Sequence, residues 1–138
     1  MKIRSFSPAD TDAVIELWAE AGLVRPWNDP RKDIERKLTV QPELFLVGET
    51  DARIVATAMV GYDGHRVWVN YLAVALDARG LDHGRQLMNE AERLLLELGC
   101  PKINMQIRSD NVEVRAFYER LGYTQDAAVS YGKRLIAD

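Results

Sequence analysis

The stretch Asn111–Tyr123, NVEVRAFYERLGY, decides how this chain reads. Val114, Phe117 and Leu121 recur at i, i+3 and i+7, which is one face of a helix. Asp110 with Glu113 three residues on has the form of a capping box, Asp standing for the usual Ser or Thr. Gly122 sits where a helix closes in the left-handed conformation. The segment therefore reads as a short amphipathic helix with Asn111 at its start and a phenol, Tyr118, two turns along. A tyrosine so placed is equally well explained by core packing with its hydroxyl at the surface.

Upstream, Lys2 to Ser5 reads as a short strand, and Ser7 caps a helix with Pro8 at its first position and Asp10 in its first turn. Val14, Leu17, Trp18 and Ala21 form that helix's apolar stripe, stopped by Gly22. Asn28-Asp29-Pro30 starts a second helix that runs to about Leu38. Leu44 to Glu49 and Arg53 to Gly61 are strands joined at Thr50-Asp51. Asp63-Gly64 is a hairpin signal into a strand, Val67 to Val74, that is apolar on both faces. After the loop Ala75 to Asp82, a helix carries Leu87, Met88, Ala91, Leu94, Leu95 and Leu98 on one face and ends at Gly99. Lys102 to Ile107 is a strand, and the tail to Leu135 should add one or two more. Helices set among mostly antiparallel strands, with one parallel crossover, give an α+β class with a central mixed sheet.

This order, and three blocks within it, resemble the GNAT acyltransferases over essentially the whole chain, residues 1–138 as one domain. Asn111, Phe117 and Tyr118 with Gly122 and Tyr123 resemble the family's last conserved block. Tyr71-Leu72-Ala73-Val74 resembles its central strand end. Arg79-Gly80-Leu81-Asp82-His83-Gly84, followed by Arg85, resembles its pyrophosphate loop. The chain is most similar to small, stand-alone bacterial members whose acceptor is unassigned.

The resemblance implies an acetyl-CoA-dependent N-acetyltransferase. Leu72, Ala73 and Val74 would lie along the pantetheine arm. The loop from Arg79 to Arg85 would face the pyrophosphate, with Asn111 and Phe117 beside the cofactor. Tyr118 would protonate the leaving thiolate. The loop's physical logic is that amides at a helix N-terminus attract anions, and glycine lets a phosphate approach the backbone. Two positions depart from the pattern: Asp82 replaces the usual middle glycine and Leu81 a residue that is often basic. Asp82 could instead cap the helix and occupy the amides meant for phosphate. A central-strand Glu, the base in many relatives, is missing. Asp29, Asp63 and His65 remain, each also explained as a turn or cap residue, and a water chain serves as well. Trp27, Asn28 and Asn70 are candidates for the acceptor site. The rival is a non-catalytic GNAT-like module that binds a ligand or partner.

Composition limits the partners. Net charge is −3 with both signs scattered, which argues against nucleic acid. No apolar run approaches membrane-spanning length. The N-terminal MKIRSFSPAD shows no export signal. One cysteine, Cys100, cannot form an internal disulfide and reads as half-buried packing. These points suggest a cytoplasmic setting. Two histidines and no cysteine cluster predict no metal. The resemblance leaves room for a homodimer.

Overall fold

In the computed structural model, which describes residues 1–138, five strands form one sheet in sequence order. They are β1 (Lys2–Ser5), β2 (Phe45–Thr50), β3 (Arg53–Tyr62), β4 (Val67–Val74) and β5 (Ile103–Met105). The helices are α1 (Thr11–Glu20), α2 (Pro30–Lys37), α3 (His83–Glu97) and α4 (Val112–Arg120). The first three strand pairs are antiparallel and β4–β5 is parallel. A parallel pair needs a long crossover, and α3 supplies it. The α+β expectation, with a mixed and mostly antiparallel sheet, holds.

Period-two alternation splits the core into two layers. Leu46 of β2 and Ala56, Ala58 and Val60 of β3 face α3, where Leu87, Met88, Ala91 and Leu95 meet them. Phe45 and Val47, with Val55 and Met59, face α1 and α2 and pack on Val14, Trp18 and Ile34. Burying a side chain of this size contributes roughly 1.5–3 kcal/mol. That is why the apolar stripes of α1 and α3 could be read from spacing.

β4 obeys the alternation only in part. Val67 and Val69 face α3, whereas Tyr71 and Ala73 face α1. The switch is a β-bulge: Thr57 pairs with Ala73 and Met59 with Asn70, which leaves Tyr71 and Leu72 opposite Ala58 alone. Tyr71 takes a left-handed φ of 52°. One extra residue reverses which face each later side chain serves. Trp68 and Asn70 are exposed, so β4 is not apolar on both faces as the sequence suggested.

Other expectations change at element ends. α1 is preceded by a 3₁₀ turn, Pro8–Asp10, in which the Ser7 amide donates to Asp10 Oδ2 at 2.8 Å. Leu98, assigned to the α3 stripe, is exposed because it is the C-cap, beyond the last packed turn. β5 spans three residues rather than Lys102 to Ile107, and residues 124–138 add no strand. That tail instead runs past β5 through side-chain bonds: Lys102 Nζ and Asn104 Nδ2 both donate to Asp126, and Gln106 Nε2 to Ser130 Oγ. Cys100 is buried and its thiol lies 3.4 Å from the Lys102 carbonyl.

Candidate active site

β4 runs on past β5. Ladder pairing ends at Val69–Met105, and from Asn70 onward β4 has a neighbour on one side only. The two strands therefore part, and beside β5 lies a cleft of about 1580 Å³, walled by β5, α4 and the chain from Gly122 to Ser130. Trp68 and Asn70 line it from β4, Asn104 and Met105 from β5, and Tyr118 from α4.

Tyr118 is 5 % exposed and sits edge-on to Phe117 and Tyr123. The hydroxyls of Tyr71 and Tyr123 bond to Asp33 and Glu92, whereas that of Tyr118 has no protein partner. Burial pushes the Tyr118 phenol well above its ordinary range, so it is neutral and able to donate. Asn104 Oδ1, on the facing strand, is also buried without a partner. An unpaired phenol in a cleft is a proton donor waiting for an acceptor. Asn111, at the head of the same helix, caps it: its Oδ1 accepts from the Val114 amide at 3.2 Å. The cap is thus Asn111 and not Asp110, and no capping box forms there.

After the loop that follows β4, α3 begins at His83. Its first amides have no intrahelical acceptor. Asp82 is the N-cap residue but makes no side-chain cap; it stands at φ 68°, and its carboxylate accepts from Arg85 Nε at 3.0 Å. Left-handed backbone is where glycine is favoured, which explains the residue usual at this place. The carboxylate faces solvent as an exposed ion pair and leaves the amides open. Gly80 at φ 77° completes the turn, with Arg79 and Leu81 exposed beside it. His83 Nδ1 is buried with no partner. A loop of this form can accept an anion.

Gly84 has a packing reason of its own. It is buried, and a Cβ built on it would lie 3.0 Å from Phe117 Cζ. Glycine here lets α4 press onto α3, which places Tyr118.

A second pocket, of about 560 Å³, lies between α2 and the bulge. Asn28 and Asn70 line it, as the sequence proposed for acceptor residues; Trp27 is exposed and lines neither cavity. Sequence reasoning missed Asp33, Arg36 and Tyr71, which line it too. Tyr71 stacks on Trp18 with ring centroids 3.8 Å apart and donates to Asp33 Oδ2 at 2.6 Å. The available signal was Asn70-Tyr71, where β4 loses its alternation. Lys37 is buried; its Nζ donates to the Val60 carbonyl at 2.6 Å, and burial pulls its pKa down.

Two of the base candidates are occupied. Asp29 caps α2 by accepting from the Arg31 amide at 2.9 Å. Asp63 accepts from the His65 and Arg66 amides, which hold it below the usual carboxylate range. His65 lies in that exposed turn. No group of three or more His, Cys, Asp or Glu side chains could hold a metal, and no helix is long and apolar enough to cross a membrane.

Comparison with known proteins agrees with this fold. Residues 11–123 match the model of the acetyltransferase (GNAT) family. An acetyltransferase of Yersinia enterocolitica is 48 % identical over 138 residues, covering 100 % of this chain and 98 % of the relative. An aminoglycoside 6'-N-acetyltransferase from Acinetobacter haemolyticus superposes with a TM-score of 0.77 at 19 % identity, covering 99 % of each chain. The ribosomal-protein-S18-alanine N-acetyltransferase of Escherichia coli gives 0.77 at 21 % identity, covering 91 % of this chain and 79 % of that one. The last two share the fold while acting on unlike acceptors, so the fold alone does not choose one.

Proposed function

Because the chain belongs to the GNAT acetyltransferase family, we propose that it transfers an acetyl group from acetyl-CoA to an amine by direct attack on the thioester. Membership makes it an acyltransferase rather than a non-catalytic module of the same shape. The observation that carries the mechanism is the hydroxyl of Tyr118, a buried side chain, which opens to the cleft without a protein partner. The residues fit the co-substrate: open amides and an orphaned His83 Nδ1 stand at the α3 N-terminus, and β4 is unpaired on its β5 side beyond Val69.

In this reading the loop from Arg79 to Arg85 takes the pyrophosphate, with Arg79 adding positive charge. Leu72, Ala73 and Val74 lie along the pantetheine arm. A neutral amine attacks the carbonyl carbon, and the oxyanion is met by a backbone amide at the bulge near Leu72. The C–S bond breaks as the oxyanion collapses, Tyr118 gives its proton to the departing sulfur, and the surplus proton of the attacking nitrogen passes through water in the cleft to restore the phenol. No covalent enzyme intermediate is needed. Asn111 and Phe117 act through placement, one capping α4 and the other seating it on Gly84.

The test joins CoA calorimetry to thiol release from acetyl-CoA over a panel of amines. The expected result is saturable CoA binding and amine-dependent thiol release. No CoA binding by the folded protein sinks the proposal.

A further inference from the structure

Asp138 reaches back across the molecule to α2. Its Oδ1 accepts from Arg36 Nη2 at 2.7 Å, and its Oδ2 from Arg36 Nη1 at 3.3 Å and from the Asp29 amide at 3.0 Å. Arg134, in the same tail, donates to Asn28 Oδ1. The Asp138 side chain is 1 % exposed although the residue lies in an exposed tail. Its charge is felt at Tyr71, whose phenol is pushed up by burial first, then by Asp33, and also by Asp138. A carboxylate thus sits sealed at the edge of the second pocket, held by both arms of a guanidinium and one main-chain amide. Bidentate guanidinium pairing of this kind is a specific carboxylate receptor.

The same pocket holds the opposite charge. Asp33 accepts from Tyr71 Oη at 2.6 Å and from Arg36 Nη1 at 3.2 Å. Leu23 and Asn70 line both this pocket and the larger cleft that contains Tyr118. A molecule with its carboxylate on Arg36 could pass its amine beside Asp33 and Asn70 toward the cleft.

We propose that the acceptor is an amine that also carries a carboxylate, bound by Arg36 and the Asp29 amide at the place Asp138 takes in this structure. This rests on the acetyl-CoA reading above and narrows its substrate class. Asp138 and the acceptor's carboxylate compete for one receptor. A free amino acid and a peptide with an acidic side chain near its amine share the chemistry, and the test separates them.

Thiol release from acetyl-CoA is measured for glycine, β-alanine and 4-aminobutyrate, each beside its carboxamide. A dipeptide amide beginning with Glu is measured beside its Gln counterpart. At least one acid should exceed its neutral twin in kcat/KM by about tenfold, the scale of one bidentate charge-assisted contact. The series that shows this difference identifies the source. Arg36→Gln should raise KM for that acid and leave its neutral twin unchanged, with the fold checked by melting. Asp138→Asn should lower KM for the acid and not for the twin. Equal rates for acids and twins, an equal loss on both in Arg36→Gln, or no response of the acid to Asp138→Asn overturns the proposal. CoA calorimetry distinguishes the two levels. If CoA binds and no acid is acetylated, the carboxylate acceptor falls while the acetyl-CoA reading stands. If CoA does not bind, the acetyl-CoA reading itself has failed.

Discussion

Thr57 Oγ1 donates to the Tyr71 carbonyl at 2.8 Å, across the point where β4 gains its extra residue. The same oxygen accepts from Trp18 Nε1 at 2.9 Å, and Thr57 is fully buried. A single hydroxyl therefore ties α1 to the bulge and satisfies a carbonyl that the bulge displaces from the ladder. The bulge in turn puts Asn70 and Tyr71 together at the second pocket and leaves Leu72 to the other face.

Thr57→Val keeps the shape and removes the hydroxyl. Two buried polar groups, the Trp18 indole N–H and the Tyr71 carbonyl, lose their partner, at about 1–3 kcal/mol each. Denaturant unfolding should show a loss of roughly 2 kcal/mol or more. Thr57→Ser should recover most of it. A Val variant as stable as wild type would mean that the bulge does not depend on this bond.

Gly84→Ala tests how α3 and α4 meet. The new methyl would sit 3.0 Å from Phe117 Cζ, and overpacking of this kind costs typically about 1–3 kcal/mol. Alanine's better helix propensity returns at most about 1 kcal/mol. Thermal melting should show a net loss that Phe117→Leu in the same chain partly relieves. Additive effects of the two changes would show that the contact is not the cause.

What was legible in the sequence follows from what is periodic. The stripes of Val14, Leu17 and Trp18 and of Leu87 to Leu95 are helical repeats, and the structure buries them as expected. The helix that carries Tyr118 was legible from its stripe and closing glycine, and Tyr118 itself was singled out by the family resemblance. The bulge was not, because one inserted residue leaves only a break in alternation at Asn70-Tyr71. Asp33 and Arg36 stand among other charged residues on a short helix, PRKDIERK, and no spacing sets them apart. Only the bulge, set by Thr57 on another strand, turns them into a pocket wall. Gly84 was legible as a required glycine, but its contact is with a residue 33 positions on, which local spacing cannot show.

Asp82→Gly should both stabilise the fold and tighten CoA binding. Asp82 holds φ 68° without the freedom of glycine, a strain on the order of 1 kcal/mol. Its carboxylate also engages Arg85 beside the open amides of α3. Removing it frees Arg85 and takes one negative charge from an anion site. The gain in CoA binding should be about 1 kcal/mol at low salt and should shrink as salt rises. Calorimetry at two ionic strengths checks it. Weaker binding in the Gly variant would show that Asp82 shapes the loop.

Tyr118→Phe separates chemistry from packing. The hydroxyl has no protein partner, so its loss should leave the melting temperature and acetyl-CoA affinity nearly unchanged. Turnover should fall by about 10²-fold or more, the scale of general acid catalysis. The pH behaviour follows from burial, which raises the Tyr118 phenol above the ordinary value near 10. Tyr71 and Tyr123 are raised by burial and by the carboxylates they bond. A group raised in the fold contributes stability that is full below its unfolded pKa and is lost as pH climbs through the folded one. Stability should therefore hold up to about pH 10 and decline above it. Phenolate absorbance from these three tyrosines should appear only with unfolding. Below that pH Tyr118 stays protonated, so wild-type turnover should show no alkaline fall that Tyr118→Phe removes. Full turnover in the Phe variant would leave Tyr118 as a packing residue, and the proton for the leaving sulfur would have to come from water in the cleft.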